Sequence, residues 1–324
     1  MAEPEVPVHL GRLAKAFGLP SLDLVEYRFG ASGVWRLRCV DGDLALSARP
    51  GSAPRYVLDE LRTAGQLERR AMTAGLDVVP FLEPREPAVG LAAEVDDCLV
   101  VLHRWAETVR DGDSAVGSEW LGETLARLHR LWPDPATDEA ELSRAYGVHP
   151  LADWRRWVED AAAAGLGWAS AVSDAMDAVA EATELSLAAL RLNLPRCVTH
   201  RDLNPPNLLH TAMGPLLCDF GYAGLDVPWL EAVDAALACS RKPAETIMTY
   251  QRAGGAAGPR VREALGRTTG VTLMWLAFSM WLSLGHRAVT EERQAAASDA
   301  VPGIVRSLAE DLDSLDSVAA ELFG

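Results

Sequence analysis

The chain has 324 residues, enough for one large or two moderate domains. Hydrophobic residues make up 49% and charged residues 23%, the balance of a soluble globular protein. The formal charge of −16 excludes a nucleic-acid partner, whose phosphates demand a basic face.

The five cysteines (Cys39, Cys98, Cys197, Cys218 and Cys239) are scattered, odd in number and contain no C-x-x-C pair. That pattern implies a reduced, cytoplasmic protein and no zinc site. The opening MAEPEVPVHLGRL lacks a basic region followed by an apolar core, so no signal peptide is expected. The most apolar run, Val271–Leu284, falls short of the about 20 residues that span a bilayer and reads as a buried helix. No membrane partner is expected.

In chain order, Leu10–Leu19 has helical spacing. Leu24–Phe29, Val34–Val40 and Leu44–Ala48 read as strands, with Asp41-Gly42-Asp43 as a hairpin turn between the last two. Tyr56–Met72 is a helix closed by Gly75, and Val78–Leu82 and Ala92–His103 add two strands. The first part is therefore a five-stranded sheet with one internal helix.

After Ser118 helices dominate: Ser118–Leu131, Trp154–Ala164, Ser173–Leu192, Trp229–Ser240, Arg260–Arg267, Val271–His286 and Val305–Leu322. Short β-like runs remain only at Cys197–His200, Asn207–His210 and Leu216–Cys218. The expected division is an N-terminal lobe over 1–103, a hinge at 102–108, and a helical catalytic lobe over 109–324.

The chemistry concentrates in Cys197–Leu209, CVTHRDLNPPNLL, and Leu216–Gly221, LLCDFG. Asn207 follows Asp202 by five residues, and Asp219 follows it by seventeen. Phosphoryl transfer needs these types. Its transition state spreads negative charge over the phosphoryl oxygens. Magnesium neutralises that charge and takes hard oxygen ligands, which Asp219 and Asn207 supply. Asp202 can orient an attacking hydroxyl and receive its proton. His200 reads as a residue that holds the loop by packing and hydrogen bonding.

The string His200-Arg201-Asp202 with Asn207, followed by Asp219-Phe220-Gly221, resembles the catalytic and metal loops of the protein-kinase-like superfamily. Leu121–His129, LGETLARLH, is similar to the helix that opens the second lobe of its aminoglycoside-phosphotransferase and choline-kinase branch. Val233-Asp234-Ala235-Ala236 resembles that branch's buried aspartate, which ties down the catalytic loop. Asn204 stands where protein kinases usually carry Lys, and no Ala-Pro-Glu motif follows. Arg201 departs from the Gly more frequent in antibiotic kinases.

The resemblance implies an α+β two-lobed fold, with a small antiparallel five-stranded N-lobe and a large, mainly helical C-lobe. It also implies Mg2+ and ATP or GTP as phosphoryl donor. Ser32 and Gly33, in Phe29–Trp35, would lie over the phosphates. The usual strand lysine is replaced by Ser47. Arg49, two residues on and on the same face, takes its place with Glu60 as helix partner, or is a surface residue. Backbone groups at Leu102, His103 and Arg104 would meet the purine edge.

The acceptor is expected between the catalytic loop and the helices of Trp132–Leu192, a stretch with eleven acidic residues and Trp154, Trp157 and Trp168. These form either a wall for a small polar or cationic hydroxylated molecule, or ordinary core and solvated helix faces. The reading is a kinase of an aminoglycoside-, sugar- or nucleoside-type antibiotic, monomeric or homodimeric. Its rivals are a housekeeping kinase of choline, homoserine or methylthioribose, and a nucleotide-binding regulator without activity.

Overall fold

The computed structural model describes residues 6–28, 33–53, 55–109, 115–133, 142–143, 145–287 and 289–324. Helix α1 (Leu10–Phe17) precedes three strands, β1 (Asp23–Arg28), β2 (Val34–Cys39) and β3 (Gly42–Pro50). Trp35, Leu37, Leu44 and Leu46 alternate inward and share one core with Leu13 and Phe17 of α1. The β2–β3 hairpin pairs Cys39 with Gly42. Its loop residues are thus Val40-Asp41, one position ahead of the expected turn.

Helix α2 (Arg55–Thr73) follows as expected. The sheet has five strands, but not the five read from sequence. The 92–103 run breaks into β4 (Ala93–Val95) and β5 (Cys98–Arg104). Asp96 and Asp97 form the turn at φ 50° and 61°, the twist a two-residue hairpin requires. Apolar alternation continues through these strands, so hydropathy does not reveal the break. The antiparallel order is β1-β2-β3-β5-β4.

Residues 77–82 are not a sheet strand. They form an extended strap between the two halves of the molecule. Leu217 N donates to Asp77 O (2.8 Å) and Val79 N to Leu217 O (2.9 Å). Further on, Leu82 N donates to Leu102 O (2.8 Å) and Arg104 N to Pro80 O (2.7 Å).

The larger half holds α3 (Ser118–His129), α4 (Leu151–Ala163), α5 (Ala169–Asp174), α6 (Met176–Arg191), α7 (Pro228–Cys239), α8 (Pro243–Arg252), α9 (Gly266–Ser283) and α10 (Glu291–Phe323). Two short antiparallel strand pairs interrupt them. One pairs β6 (Cys197–Thr199) with β9 (Gly224–Asp226), the other β7 (Leu208–Thr211) with β8 (Gly214–Leu217). The 173–192 helix is broken at Ala175, and 260–267 is a 3-10 turn (Arg262–Leu265) that runs into α9. Helix α8 escaped the sequence reading because its buried face includes Thr246 and Thr249 beside Ile247 and Tyr250. Helix α10 starts well before Val305, capped by Thr290, and carries Pro302 inside it.

Ala64, Leu67 and Ala71 of α2 pack in the same core as Leu121 and Leu125 of α3 and Leu230 of α7. Arg127 of α3 caps the end of α2, donating through Nη2 to Ala74 O and Gly75 O at 2.8 Å. Trp154, Trp157 and Trp168 are buried in a second helical core with Leu273, Leu276 and Met280 of α9. Among the described residues no helix is long and apolar enough to cross a membrane.

The turn aspartates make separable predictions. The Asp96 carboxylate accepts from His9 N (2.6 Å) and Arg12, anchoring the start of α1, whereas Asp97 contributes left-handed backbone. Asp96→Gly is expected to cost about 1 kcal/mol in urea unfolding. Asp97→Gly is expected to be neutral or to stabilise by up to about 1 kcal/mol.

Candidate active site

A hairpin and the strand pair that encloses it fix the two loops that carry the chemistry. In the β7–β8 hairpin Leu208 faces Leu217. The ladder extends one step further, with Cys218 N donating to Asn207 O at 3.0 Å. Asn207 and Asp219 therefore emerge from the same open end. The β6–β9 pair holds Thr199 against Gly224, so residues 200–206 and 218–223 are clamped at their outer ends.

The Asp202 carboxylate is held from both sides. Its Oδ1 accepts from Asn204 Nδ2 (2.7 Å) and its Oδ2 from Asn207 Nδ2 (2.8 Å). Asn207 Nδ2 also donates to Asp202 O (2.8 Å), so the amide nitrogen is committed to Asp202. Burial lifts Asp202 above the ordinary carboxylate range; Asp219 adds to the rise, while His200 and Asn207 oppose it. Asn204 Oδ1 is buried and has no hydrogen-bond partner among the described residues.

Asp219 sits in left-handed backbone, φ 58° and ψ 62°, and its Oδ1 accepts from Gly221 N at 3.4 Å. His200 is fully buried, hydrogen-bonded through Nε2 to Cys218 O (2.9 Å) and packed against Phe220 at 4.7 Å between centroids. It ties the two loops together, as expected for a scaffolding residue.

Beneath the loops lies a buried polar network. Arg201 has φ 67°, a conformation costly for a residue with a Cβ. Its N–H donates to Glu231 Oε1, and its Nε to Leu225 O (2.9 Å). A Cβ on Gly224 would stand 2.5 Å from the Arg201 guanidinium, so glycine there makes the room. Glu231 also accepts from Thr199 Oγ1 (2.9 Å) and pairs with His129 Nε2 (2.7 Å), whose Nδ1 meets Tyr250 OH (2.9 Å).

Arg267, from α9, donates through Nε to Asp226 Oδ2 (2.9 Å), through Nη1 to Asp234, and through Nη2 to Arg201 O (2.7 Å). Tyr146 OH completes Asp226 at 2.8 Å. The expectation that Asp234 ties down the catalytic loop is corrected. Glu231 holds the loop directly, and Asp234 acts one step away through Arg267. Glu231, Asp226 and Arg267 were missed in the sequence, although Arg267 is the sole charge in α9.

The smaller lobe brings Arg49 to the site. A Cβ on Gly221 would stand 3.0 Å from both Arg49 Nη2 and Asp219 Oδ1, so the guanidinium lies against the metal loop. Glu60, on α2, and Arg49 both act electrostatically on Tyr222 beside that loop. Ser47 lies two residues before Arg49 on β3. Gly33 has φ 66°, and Ser32 lies outside the described residues.

Leu102, His103 and Arg104, the expected purine edge, lie within the sheet. All three belong to β5 and pair with β3, and the strap takes Leu102 O and Arg104 N. Trp105 N is taken by Asp43 O at 2.9 Å. The His103 side chain meets buried Glu68 of α2 at 2.7 Å. Burial pulls this imidazole down, but the Glu68 charge and hydrogen bond outweigh it and the net shift is upward.

Asn207 and Asp219 offer an amide and a carboxylate oxygen, a donor set that suits a hard divalent cation. Among the described residues no group of three or more His, Cys, Asp or Glu could hold a metal alone. An ion here would draw its remaining ligands from phosphate and water. Glu159, Asp160, Asp174, Asp177, Glu181 and Glu184 all point outward, exposed. Together with the buried tryptophans, they are core and solvated helix faces.

The model of the phosphotransferase enzyme family matches residues 24–265. Among solved structures, a spectinomycin phosphotransferase in complex with ADP and spectinomycin superposes with a TM-score of 0.62 at 11% identity, over 93% of this chain and 97% of the other. An aminoglycoside phosphotransferase from Alicyclobacillus acidocaldarius gives 0.55 at 13% identity, over 99% and 98%. A choline/ethanolamine kinase family protein from Mesorhizobium loti gives 0.52 at 18%, over 93% of each chain. No curated protein matches the chain.

Glu231→Ala strands the Arg201 N–H, Thr199 and His129, and is expected to cost about 3–5 kcal/mol. Burial opposes ionisation of Glu231, but the His129 hydrogen bond and the charges of His129 and Arg267 hold it well below its ordinary value of 4.5. A depressed folded value gives stabilisation that is complete above the ordinary value and lost as pH falls below it. Urea unfolding should therefore show a constant gap between wild type and Glu231→Gln from pH 7 to about 5, shrinking below about pH 4.5.

Proposed function

The chain belongs to the phosphotransferase enzyme family, and from that premise we propose that it transfers the γ-phosphoryl group of ATP to a hydroxyl of a sugar- or nucleoside-containing antibiotic in the cytoplasm. One observation carries this reading. Asp202, held by Asn204 and Asn207, sits beside the hairpin end that presents Asp219, with the Arg49 guanidinium against the same loop.

On this reading Asp202 orients the acceptor hydroxyl and accepts its proton. The acceptor oxygen bonds to phosphorus, the bond from phosphorus to the β–γ bridging oxygen breaks, and ADP leaves with that electron pair. Asn204 and Asn207 keep the carboxylate in one orientation, so positioning is supplied before the acceptor arrives. The unpartnered Asn204 Oδ1 can accept from the acceptor. Asp219 and the Asn207 amide oxygen would hold Mg2+, which when bound neutralises phosphate charge.

Arg49 takes the part of the strand lysine absent at Ser47, with Glu60 orienting it. Gly33 would lie over the phosphates. The lobe boundary is the linker that follows β5 within the 102–108 hinge, and the purine edge meets backbone at 106–108, beyond the groups used by β3 and the strap. The likeness to a choline/ethanolamine kinase family protein and to an aminopropanol kinase makes a small amino alcohol the competing acceptor.

The test is nucleotide turnover and a +phosphate mass shift across antibiotic and metabolite panels, with ATP and GTP in parallel. Asp202→Asn is expected to lower kcat by about 10²–10⁴-fold with the nucleotide KM little changed. Arg49→Ala is expected to raise the nucleotide KM by about tenfold, a loss of about 1.4 kcal/mol. Unchanged kinetics in Arg49→Ala would remove it from the site. No transfer to any acceptor would favour a regulatory nucleotide binder.

A further inference from the structure

Beside the metal loop, an aromatic ridge runs away from Asp202 along one face of α9. Tyr222, three residues after Asp219, meets Trp275 at 6.4 Å between centroids, and Trp275 meets Phe278 at 5.9 Å, both edge-on. Val271, Trp275 and Phe278 recur at i, i+4 and i+7, and all three are half-buried. Tyr222 is 38% exposed. Burial lifts its phenol and the Asp202 charge lifts it further, while Arg49 pulls the other way, so the ring stands among the groups assigned to transfer.

The far end of the ridge is roofed from the other lobe. The Arg287 guanidinium carbon lies 5.3 Å over Phe278 and 5.9 Å over Tyr56, at the start of α2. Glu60 lies one turn further along α2, so the boundary returns to the metal loop. Side chains from both lobes thus meet at the far end of the ridge that starts beside the metal loop.

We propose that this ridge is the acceptor wall, and that it selects hydroxylated molecules carrying a flat or alicyclic apolar face rather than a cluster of positive charges. The proposal rests on phosphotransfer at Asp202 and narrows its acceptor. Aromatic faces reward flat apolar partners by area and stacking. They also attract cations, but here the protein's own Arg287 occupies the cation position over Phe278 and Tyr56. Helix α9 carries no Asp or Glu to pair with an ammonium group, the acidic residues of α5 and α6 point away, and the carboxylates beside Tyr222 (Asp202, Asp219 and Glu60) are those assigned to transfer.

Calorimetric titration of the ADP-loaded full chain tests this with three probes. These are 4-nitrophenyl β-D-glucopyranoside, methyl β-D-glucopyranoside and the polycation kanamycin. The aryl glucoside should bind at least about tenfold tighter than the methyl glucoside, and kanamycin weakest. Trp275→Ala and Phe278→Ala should erase the aryl advantage, and Trp275→Leu should keep part of it. Arg287→Ala should improve kanamycin binding. Equal binding of the two glucosides, tightest binding of kanamycin, or an aryl advantage that survives in Trp275→Ala overturns the proposal; the wild-type comparison stands even if a variant fails to fold. Transfer assays on the same panel separate the two ideas. Aryl preference with no transfer to any acceptor defeats the catalytic reading alone, and transfer with a reversed preference defeats the wall alone.

Discussion

The site depends on one buried guanidinium. Arg267 places all three of its nitrogens on separate partners: Asp226, Asp234 and the carbonyl of Arg201. Burying a charge is expensive, and pairing repays that only when every donor is used. Here the repayment is structural. The arginine grips the backbone of the catalytic loop from below, while Glu231 grips the N–H of the same residue. Between them they hold Arg201 in left-handed backbone, the bend that turns the next residue, Asp202, toward the cleft.

The smaller lobe is joined to this arrangement through α2. One face of that helix belongs to the core of the larger lobe, and its end is capped by Arg127 from α3. Glu68 ties the helix to His103 in the sheet. The strand that carries Arg49 is thereby set against the metal loop by packing that does not depend on nucleotide. Charge from one lobe and carboxylates from the other meet in a scaffold that is already assembled.

Asp202, Asn207 and Asp219 were legible in the sequence because their meaning lies in short spacing, and the β7–β8 hairpin between Asn207 and Asp219 is local. Arg267 and Glu231 were not. Arg267 shows in the chain as a lone charge in an apolar helix and Glu231 as one of two acids in another, and only the fold reveals that both reach the residue between His200 and Asp202. The sheet was legible in strand number but not in membership. Residues 78–82 have the apolar character of a strand, and hydropathy does not say which partner an extended segment will meet. The Asp96-Asp97 turn was hidden for a related reason, since the chain reverses without interrupting the alternation. Acid-rich helices suggested a cationic ligand, but charge counts carry no direction, and those side chains face water.

The strap at 77–82 has a mechanical meaning. Two separate stretches of chain cross from sheet to helical lobe: the strap, bonded at one end to β8 and at the other to β5, and the linker beyond Trp105. A body attached along two crossings resists twisting or sliding about either one. At the cleft's other edge Tyr56, on a helix whose further turns are buried in the core of the larger lobe, rests on Arg287.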